Sequence, residues 1–476
     1  MFECSNCGGN LKFDIPSQQL VCQHCKTTED PYAFDKKDTD AVEQTVFDAT
    51  IFTCPQCGGE ILSTDTSVAE FCSFCGASTI LYSRIRKEKR PTYIIPFKKT
   101  KEDCKKAYTS FMKKSIFAPN ALKDPKRIDS FRGIYMPYWA FHMTQNQSFS
   151  LRGSRSHRSG DYIYTDHYAL HGELDAYYKG LSYDAASSFD DTISQKLAPY
   201  NIKDVKPFTP AFLSGFYADT SDVDASVYVP DAKAIATQTA MDEIFHTPAF
   251  SSYHISNDLN MNLKTNLQQI DSAMFPVWFL SYRNGDRVAY ATINGQTGKI
   301  VSDLPVDLKK YMIGSLLLAI PIFIFLNIFF TFIPRTLLLM IAIISTISML
   351  LFLLQSMQIK KKESGELDKG KMYQQNLHSK RTNDTNINND LKSDSDNFTS
   401  KTYKKKSLGL FTSSVAIILS IAIFVLNPVD DLIFYGASIL CLVGLFITIK
   451  DLMHNYNLLA TRKLPQFERT GGDDNA

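Results

Sequence analysis

Short catalytic motifs are missing from this chain of 476 residues. It has no H-E-x-x-H metalloprotease pair, no G-x-S-x-G nucleophile turn and no C-x-x-C-H haem attachment site. The segment 295–299 (GQTGK) resembles a phosphate-binding loop, but it lacks the G-x4-G-K-[ST] spacing and falls within a hairpin pattern. These absences argue against the corresponding enzyme classes, and we expect that the protein is not an enzyme.

Charged residues are also missing from deep inside four long apolar runs, which argues for anchoring rather than for an ion or proton path. The runs are residues 312–332, 336–356, 408–426 and 431–449. Each is close to the roughly 20 residues that a helix needs to cross a bilayer core. A pair of soluble core helices fits poorly, because such helices need not be apolar on every face. We predict two transmembrane helical hairpins, 311–356 and 407–450.

The charges beside these runs predict their orientation. Basic residues flank both hairpins on the outside, as Lys309, Lys310, Lys360, Lys361, Lys362, Lys404, Lys405, Lys406, Lys450, Arg462 and Lys463. The short loops within the hairpins carry only Arg335 and the acids Asp430 and Asp431. Because Lys and Arg near a span stay cytoplasmic, we expect the N-terminus, the 357–406 loop and the 451–476 tail to face the cytosol of a multi-pass cell-membrane protein. The first ten residues do not read as a secretory signal, so insertion is expected to rely on the spans.

Eight of the ten cysteines form two copies of the pattern C-x2-C-x14-C-x2-C, the second offset from the first by 50 residues. They are Cys4, Cys7, Cys22, Cys25, Cys54, Cys57, Cys72 and Cys75. In a reducing cytosol such thiols are metal ligands far more often than disulfides. We predict two zinc ribbons, 1–27 and 51–83, each with one Zn ion, joined by a polar linker at 28–50. The metal either only folds these small segments or also prepares them to grip a partner.

A basic stretch, 84–132, follows the ribbons. Within it, residues 100–115 begin with a cap-like Thr and place apolar side chains at helical spacing, so they predict an amphipathic helix with lysines on its other face. The lysine face is either simply solvated or attracted to anionic lipid head groups. Nucleic acid is a third candidate for this face.

Residues 92–305 read as a mixed α+β cytoplasmic domain. Asn284-Gly285 predicts a β-hairpin, residues 231–245 predict a helix, and 263–274 predict a weaker one. His157, His167 and His171 lie close in sequence, but we interpret them as surface histidines. The 357–406 loop is polar enough to be disordered, and its basic ends are expected to lie on the anionic leaflet. The predicted fold class is therefore α+β, with two ribbons, a mixed domain and four transmembrane helices.

Several motifs together carry a resemblance to a known family. They are the tandem C-x2-C-G-G ribbons, IIPF (94–97), FAP (117–119), RGIYMPYW (132–139), LSGFYAD (213–219), PVWFLSY (276–282) and NGQTGK (294–299). The chain resembles a bacterial family of TFIIB-type tandem zinc-ribbon membrane proteins, often labelled primosomal or helicase-like, over roughly residues 1–305. The resemblance implies a membrane anchor or adaptor that brings soluble stress proteins, of the PspA-like and SPFH-domain kinds, to the membrane. It supplies no catalytic residue.

Two functional hypotheses follow. The first is a non-enzymatic zinc-binding adaptor that recruits soluble proteins to the cytoplasmic membrane in a phage-shock-like envelope stress response. The alternative is a membrane-tethered nucleic-acid-binding protein linked to replication or transcription. The ribbons contain few basic residues, Lys12 and Lys26, and we expect few exposed aromatics beyond Phe74, so they are poorly equipped for phosphate contact or base stacking. This favours the adaptor.

Replacing Cys54 or Cys72 by Ser is expected to unfold the second ribbon, because a four-thiolate site loses most of its metal affinity with one ligand. Metal analysis of the purified protein should then show one bound zinc ion in place of two, and capture of the partner should be lost. Retention of both zinc and partner would contradict the prediction.

Overall fold

A computed structural model describes residues 2–34, 46–63, 72–77, 82–255, 263–330, 333–383 and 407–465. Its strands are β1 (Leu11–Asp14), β2 (Gln19–Cys22), β3 (Thr28–Glu29), β4 (Val46–Thr53), β5 (Glu60–Ser63), β6 (Tyr82–Lys89), β7 (Tyr93–Ile94), β8 (Arg132–Ser159), β9 (Tyr162–Asp184), β10 (Lys206–Pro207), β11 (Tyr217–Ala218), β12 (His254–Ile255), β13 (Asn266–Asn284), β14 (Arg287–Asn294), β15 (Ile300–Ser302) and β16 (Arg462–Lys463). Its helices are α1 (Lys101–Lys114), α2 (Pro125–Ile128), α3 (Asp191–Leu197), α4 (Val229–His246), α5 (Pro248–Ser251), α6 (Leu308–Phe329), α7 (Pro334–Glu363), α8 (Lys369–Asn383), α9 (Ser407–Leu426) and α10 (Asp431–Leu459). The α+β class is confirmed, with cysteine clusters near the N-terminus and four long apolar helices towards the C-terminus.

Strand β8 is the centre of a 13-stranded sheet. Its first half pairs antiparallel with β13, from Arg132 opposite Phe279 to Thr144 opposite Asn266. Strand β13 turns back through Gly285 into β14, and Gly285 adopts a φ of +64° that glycine tolerates without strain. The hairpin predicted at this turn is confirmed. Strand β9 pairs with β8 from Tyr138 opposite Asp184 to Ser159 opposite Tyr162. Beyond Thr144, where the ladder with β13 ends, these two strands form a long extension that, among the described strands, only the short β12 joins, and we call this extension, residues 145–177, the arm.

The two ribbons are attached differently. Strands β1, β2 and β3 form a separate three-stranded sheet, whereas β4, β5 and β6 belong to the large sheet. Strand β5 pairs with β11, and β11 runs parallel to β8. The structure thus differs from the expected division into a linker (28–50), a ribbon (51–83) and a separate domain (92–305). Strand β4 begins at Val46, within the segment that we predicted to be a polar linker. Alternate side chains of this part of the chain are buried against the sheet, which explains why it is a strand.

Two helices follow the sequence pattern closely. Helix α1 begins after Thr100, whose side chain accepts a hydrogen bond from the Asp103 amide while the Asp103 carboxylate accepts from the Thr100 amide. This reciprocal cap satisfies amides that a helix start leaves unpaired. Helix α1 buries Cys104, Tyr108 and Met112, as its periodicity predicted. Helix α4 also confirms the helix predicted over 231–245.

Two expectations are wrong. Residues 263–274 do not form a helix, because from Asn266 onwards they belong to β13 and pair with β8. The 357–406 loop is not disordered over its first part, since α7 continues to Glu363 and α8 covers Lys369–Asn383. Contacts with the sheet domain order this polar segment, including a hydrogen bond of 2.6 Å from Gln374 Nε2 to the Asp222 carbonyl. The rest of the loop, 384–406, lies outside the described residues.

Four helices, α6, α7, α9 and α10, are long and apolar enough to cross a membrane. Helices α7, α9 and α10 pack together through a shared apolar cluster that includes Leu338, Ala416 and Phe434. In the described part of the chain, the apolar window of α6 buries none of its residues in protein. Of these four helices, α6 is therefore the one least covered by protein.

The last helix leads directly into the sheet. Strand β16 lies just beyond the end of α10 and pairs with β14. Arg462 of β16 donates to Asp190 over 3.1 Å and also pairs with Asp303. Burial alone would raise the pKa of Asp190, but the cations of Arg462 and Lys371 hold it well below its usual value. We call this meeting point of α7, α10, β14 and β16 the junction.

Backbone carbonyls at and just beyond the end of α10 also accept hydrogen bonds from basic side chains at the junction. The Arg287 guanidinium donates to the carbonyls of Leu458, at 2.7 Å, and Thr461, at 3.0 Å. Lys362, in the last turn of α7, donates to the Thr461 carbonyl at 3.1 Å. These bonds satisfy carbonyls that a helix end leaves free, so the ends of two apolar helices are fixed to the edge of the sheet.

Replacing Arg462 by Met is expected to destabilise the junction by about 3 kcal/mol, because Asp303 loses this cation and Asp190 keeps only the more distant Lys371, while both carboxylates are largely shielded from water. In the wild-type protein the pKa of Asp190 is lower in the folded than in the unfolded state. The ion pair therefore stabilises the fold fully above the ordinary carboxylate pKa, and this stabilisation is lost only in strong acid. In the variant, burial without Arg462 favours protonation of Asp190 as the pH falls, so the stability deficit of the variant should shrink between about pH 7.5 and about pH 4.5. Thermal unfolding of the detergent-solubilised proteins at both pH values measures this.

The matched control is Lys463→Met, since Lys463 is the neighbouring cation and its side chain is 44% exposed. Its loss should change stability by less than about 1 kcal/mol. Equal effects of the two substitutions, or a deficit of the Arg462 variant that grows in acid, would contradict the assignment of the junction to buried ion pairs.

Candidate metal centres

The first cysteine cluster joins two knuckles, one before β1 and one at the end of β2. The Sγ atoms of Cys7 and Cys25 are 3.3 Å apart, those of Cys7 and Cys22 are 3.5 Å apart, and those of Cys4 and Cys25 are 3.6 Å apart. Antiparallel pairing of β1 with β2 sets this convergence, because Leu11 lies opposite Cys22 and brings the knuckles to the same end.

The second cluster has the same arrangement. The Sγ atoms of Cys54 and Cys75 are 3.8 Å apart, and those of Cys57 and Cys72 are 3.7 Å apart. In each cluster all four sulfur atoms lie within 4.8 Å of one another. The structure thus brings together each of the two sets of four cysteines that the spacing predicted.

These distances fit a tetrahedral ion. Zinc binds thiolate sulfur at about 2.3 Å, so the edges of an ideal tetrahedron of four sulfurs measure about 3.8 Å. The five separations given above lie at or inside that value, and none of the ten cysteines, all of which the structure describes, forms a disulfide. Four soft thiolates in tetrahedral array favour Zn or an iron–sulfur centre over Mg or Ca. Each cluster can therefore hold one such ion.

The backbone repeats at each knuckle. The amide that follows the second cysteine donates to the carbonyl of the first, as from Gly8 to Cys4 at 2.8 Å and from Lys26 to Cys22 at 3.1 Å. The donating residue has a positive φ at all four knuckles, and it is Gly8, Lys26, Gly58 and Gly76. Lys26, with φ of +63°, is thus the one side-chain-bearing residue at a position that favours glycine.

Hydrogen bonds favour the thiolate form, which binds metal, at two residues of the first cluster, Cys22 and Cys25. The Thr27 hydroxyl lies 3.1 Å from the Cys25 sulfur, and this bond together with the Thr27 amide lowers the pKa of Cys25 to about 5. The Cys25 amide donates to the Cys22 sulfur over 3.5 Å and lowers the pKa of Cys22. Such donors to sulfur are the supporting contacts that metal ligands usually have.

The two clusters differ in burial. All four cysteines of the second cluster are buried, and Phe74, within its second knuckle, packs against Phe279 of β13. The Tyr290 hydroxyl donates to the Phe74 carbonyl at 2.7 Å. In the first cluster Cys4 and Cys22 are buried, Cys25 is partly buried and Cys7 is exposed.

The first ribbon rests on an aromatic seat formed by Phe97, Phe212 and Phe216. The ring of Phe13, from β1, meets Phe212 edge-on with centroids 5.2 Å apart. The Ser214 hydroxyl donates to the Leu11 carbonyl at 2.6 Å. Since Leu11 and Phe13 belong to the same buried cluster as the seat, the first ribbon is a docked unit and not a free module.

Other residues singled out by sequence form no comparable site. His157, His167 and His171 are exposed along the arm, as interpreted, and His157 lies 3.7 Å from Asp166. Residues 295–299 form the turn between β14 and β15, where the Asn294 side chain accepts from the amides of Gln296 and Thr297. Sequence reasoning missed the junction, because its residues lie far apart in the chain and carry no motif.

The cysteine clusters and the apolar helices fit a zinc-binding membrane protein. Among known proteins, the chain is similar to YdjG of Bacillus subtilis (strain 168), which is described as uncharacterised. The two are 28% identical over 313 residues, which span 65% of this chain and 91% of YdjG. No family model and no solved structure matches the chain.

Lys26→Gly is expected to strengthen zinc binding by the first ribbon, because it removes a side chain from a left-handed backbone position. The gain is about 0.5–1 kcal/mol, or about two- to fivefold in affinity, since the added freedom of glycine in the unfolded chain offsets part of the relief. Chelator competition on the full-length protein measures the affinity of each site.

Gly8→Ala is the matched control in the same ribbon. Gly8 has a φ of +69°, and the space that a Cβ would occupy there is open, so alanine would strain the backbone without a clash. Zinc affinity should fall by a similar factor. A weaker first site in the Lys26→Gly variant, or no effect of Gly8→Ala, would contradict the argument.

Proposed function

We propose that this protein is a non-enzymatic, zinc-stabilised adaptor that holds a domain at the cytoplasmic face of the cell membrane and recruits soluble proteins there. The junction is the observation that carries the proposal. Strand β16 completes the edge of the sheet immediately after the last apolar helix. A sheet fixed to the membrane helices in this way is suited to presenting a binding surface at a set position.

The orientation rests on charge and on shared contacts. The start of α6, the end of α7 and the end of α10 all bind the same domain, which supports placing them on one side of the membrane. Lys310 donates to the Ala118 carbonyl at 2.7 Å, and Asn457 accepts from the Val306 amide at 2.7 Å. The Lys and Arg residues at these ends favour the cytosol for that side.

The arm is the surface we assign to partner capture. Near its tip, Tyr162, Ile163 and Tyr164 are 72%, 73% and 52% exposed. Exposed aromatic and aliphatic side chains on a two-stranded ribbon are characteristic of protein interfaces, where Tyr often anchors the contact. Lower on the arm, the face that carries Tyr162 and Tyr164 is already covered, because Leu151 and Leu170 pack against Ile244 of α4.

The arm runs away from the junction, and in this proposal it therefore extends away from the membrane. Strand β13 ends at the turn beside Arg287, which binds the end of α10. Strand β8 is antiparallel to β13, so it starts near the junction and runs away from it. At about 3.3 Å per residue, the outer part of β8 beyond its pairing with β13 adds roughly 50 Å. A soluble partner can reach this tip without meeting the bilayer.

Anionic lipid is a second partner in this proposal. Lys113 and Lys114 end α1 on its exposed side, and Ile116, just after them, is 71% exposed. Phe117 packs against Tyr311 at the start of α6, with ring centroids 5.6 Å apart. Basic and apolar side chains beside the entry of a span suit head groups and the upper acyl region. Lys362 and Arg462, by contrast, are engaged by protein at the junction.

Nucleic acid is the alternative partner, and the basic stretch at 84–132 is its basis. Part of that stretch is already paired within the protein. Lys98 lies 2.6 Å from Asp204, and Lys105 lies 2.6 Å from Asp129. Phosphate binding draws its affinity from unpaired cations, so these pairs favour the adaptor.

The partners we propose are stress proteins of the PspA-like and SPFH-domain kinds, on the strength of the family resemblance.

Partner capture tests the proposal directly. The tagged full-length protein is crosslinked mildly in its own cells, solubilised and purified with and without nuclease, and the bound proteins are identified by mass spectrometry. We expect PspA-like or SPFH-domain proteins irrespective of nuclease. The double substitution Tyr162→Ser with Tyr164→Ser should reduce their recovery by at least about tenfold, because aromatic anchors carry most of an interface's binding energy.

The control pair is Ser156→Ala with Thr165→Ala, on the opposite face of the same part of the arm. These two hydroxyls bond to each other over 2.8 Å, so their loss alters the ribbon but not the tyrosine face. Recovery should stay close to wild type. Replication or transcription proteins that disappear with nuclease would instead support the nucleic-acid alternative, and full capture by the tyrosine variant would exclude the arm.

A further inference from the structure

The two zinc clusters are repeats in sequence but not in accessibility. Every cysteine of the second cluster is buried, so a reagent in solution reaches its sulfurs only after the ribbon opens. In the first cluster Cys7 is exposed and Cys25 is partly buried, whereas Cys4 and Cys22 are buried. The most accessible two thiols thus come from opposite knuckles of one cluster.

These two thiols are also close. The Sγ atoms of Cys7 and Cys25 are 3.3 Å apart, inside the tetrahedral edge of about 3.8 Å expected around zinc. A disulfide requires about 2.05 Å, so the sulfurs must approach by little more than 1 Å.

We propose that Cys7 and Cys25 are an oxidant-sensitive pair, which hypochlorous acid converts to a disulfide with release of the zinc ion of the first cluster alone. The second cluster keeps its ion under the same treatment. This inference rests on the zinc binding proposed above and adds a modification site to it.

The reaction balances with the named oxidant. The Cys7 thiolate attacks the chlorine of hypochlorous acid, which breaks the Cl–O bond and expels hydroxide to give a sulfenyl chloride. The Cys25 thiolate then displaces chloride and forms the S–S bond. The two sulfurs lose two electrons in total, chlorine gains two, and hydroxide takes a proton to become water. Zinc leaves because two thiolates remain, and these take up protons.

Loss of this ion has a structural consequence. The first ribbon has short strands and depends on its metal to join the two knuckles. Without the ion, Phe13 loses the support that holds it on the aromatic seat, and Phe212 and Phe216 become accessible. The second ribbon is held by the large sheet as well as by its metal, so it stays in place.

The test uses the full-length protein in detergent micelles, with its zinc content measured first. Hypochlorous acid is then added stepwise, released zinc is followed with a chromogenic chelator, and disulfides are mapped by mass spectrometry of unreduced peptides. We expect one zinc ion to leave at about one oxidant per protein, with a peptide linking Cys7 to Cys25, and the second only at about tenfold more oxidant. Thiol reductant with added zinc should restore the first site.

A variant separates ligand loss from oxidation. Cys7→His keeps a four-ligand site of a kind that zinc accepts, but it removes one thiol of the pair. The first zinc ion should then resist the low oxidant dose. Cys57→His makes the same exchange in the buried cluster and should leave the easy release from the first ribbon unchanged.

The outcomes are distinguishable. Release of both ions together, earlier release from the second cluster, a disulfide between other cysteines, or equally easy release from the Cys7→His variant would overturn the inference. If that variant binds no zinc at its first site, the wild-type titration and disulfide map decide. A protein without zinc before any oxidant is added would instead overturn the proposed zinc binding itself.

Discussion

The structure depends on the backbone ladder between β8 and β13. The arm grows from one end of β8, the hairpin that binds the membrane helices grows from β13, and the second ribbon reaches β8 through β11. A ladder of paired amides and carbonyls is the rigid connection among these parts, because burial of the sheet leaves its polar groups no other partners. Everything the protein presents to solvent or membrane is positioned from it.

The ladder contains prolines, which are uncommon in central strands because they cannot donate. Pro137 of β8 lies opposite Met274, and Pro276 of β13 lies opposite Tyr135. Their carbonyls still accept, from the Ala185 amide and the Gly295 amide, both at 2.8 Å. Each proline carbonyl thus accepts from the amide of a residue that follows the end of a strand, Ala185 after β9 and Gly295 after β14. The sheet accommodates each proline through this additional backbone partner.

Local signals in the sequence were enough for some features. The cysteine spacing predicted both clusters. The capping residue Thr100 and the helical spacing of apolar side chains predicted α1, and the length of the apolar runs predicted the four long helices. The remainder depended on contacts between distant residues. The start of β13 reads as a weak helix because its strand state is set by β8, and α8 reads as disordered because its order comes from Asp191, Asp231 and the domain around them. No pattern within either segment reports its partner.

The same dependence explains why two similar ribbons behave as different structural units. The first keeps a separate three-stranded sheet and is joined to the domain core through side chains such as Leu11 and Phe13 on the aromatic seat, whereas the strands of the second belong to the large sheet itself. The repeated cysteine spacing set the sulfur geometry in both. Burial was decided by the surface that each ribbon met.

The position of β16 also governs how the protein is made. Arg287 donates a hydrogen bond to the Thr461 hydroxyl, and Thr461 is synthesised 174 residues after Arg287. All four apolar helices are synthesised before Thr461. At 5–20 residues per second, the ribosome needs roughly 10–35 s to cover that distance. During this interval the edge of β14 and the carboxylates of Asp190 and Asp303 lack their final partners. The domain is therefore completed only once the last helix has been inserted, and a chain that stalls in insertion displays an open sheet edge to chaperones and proteases.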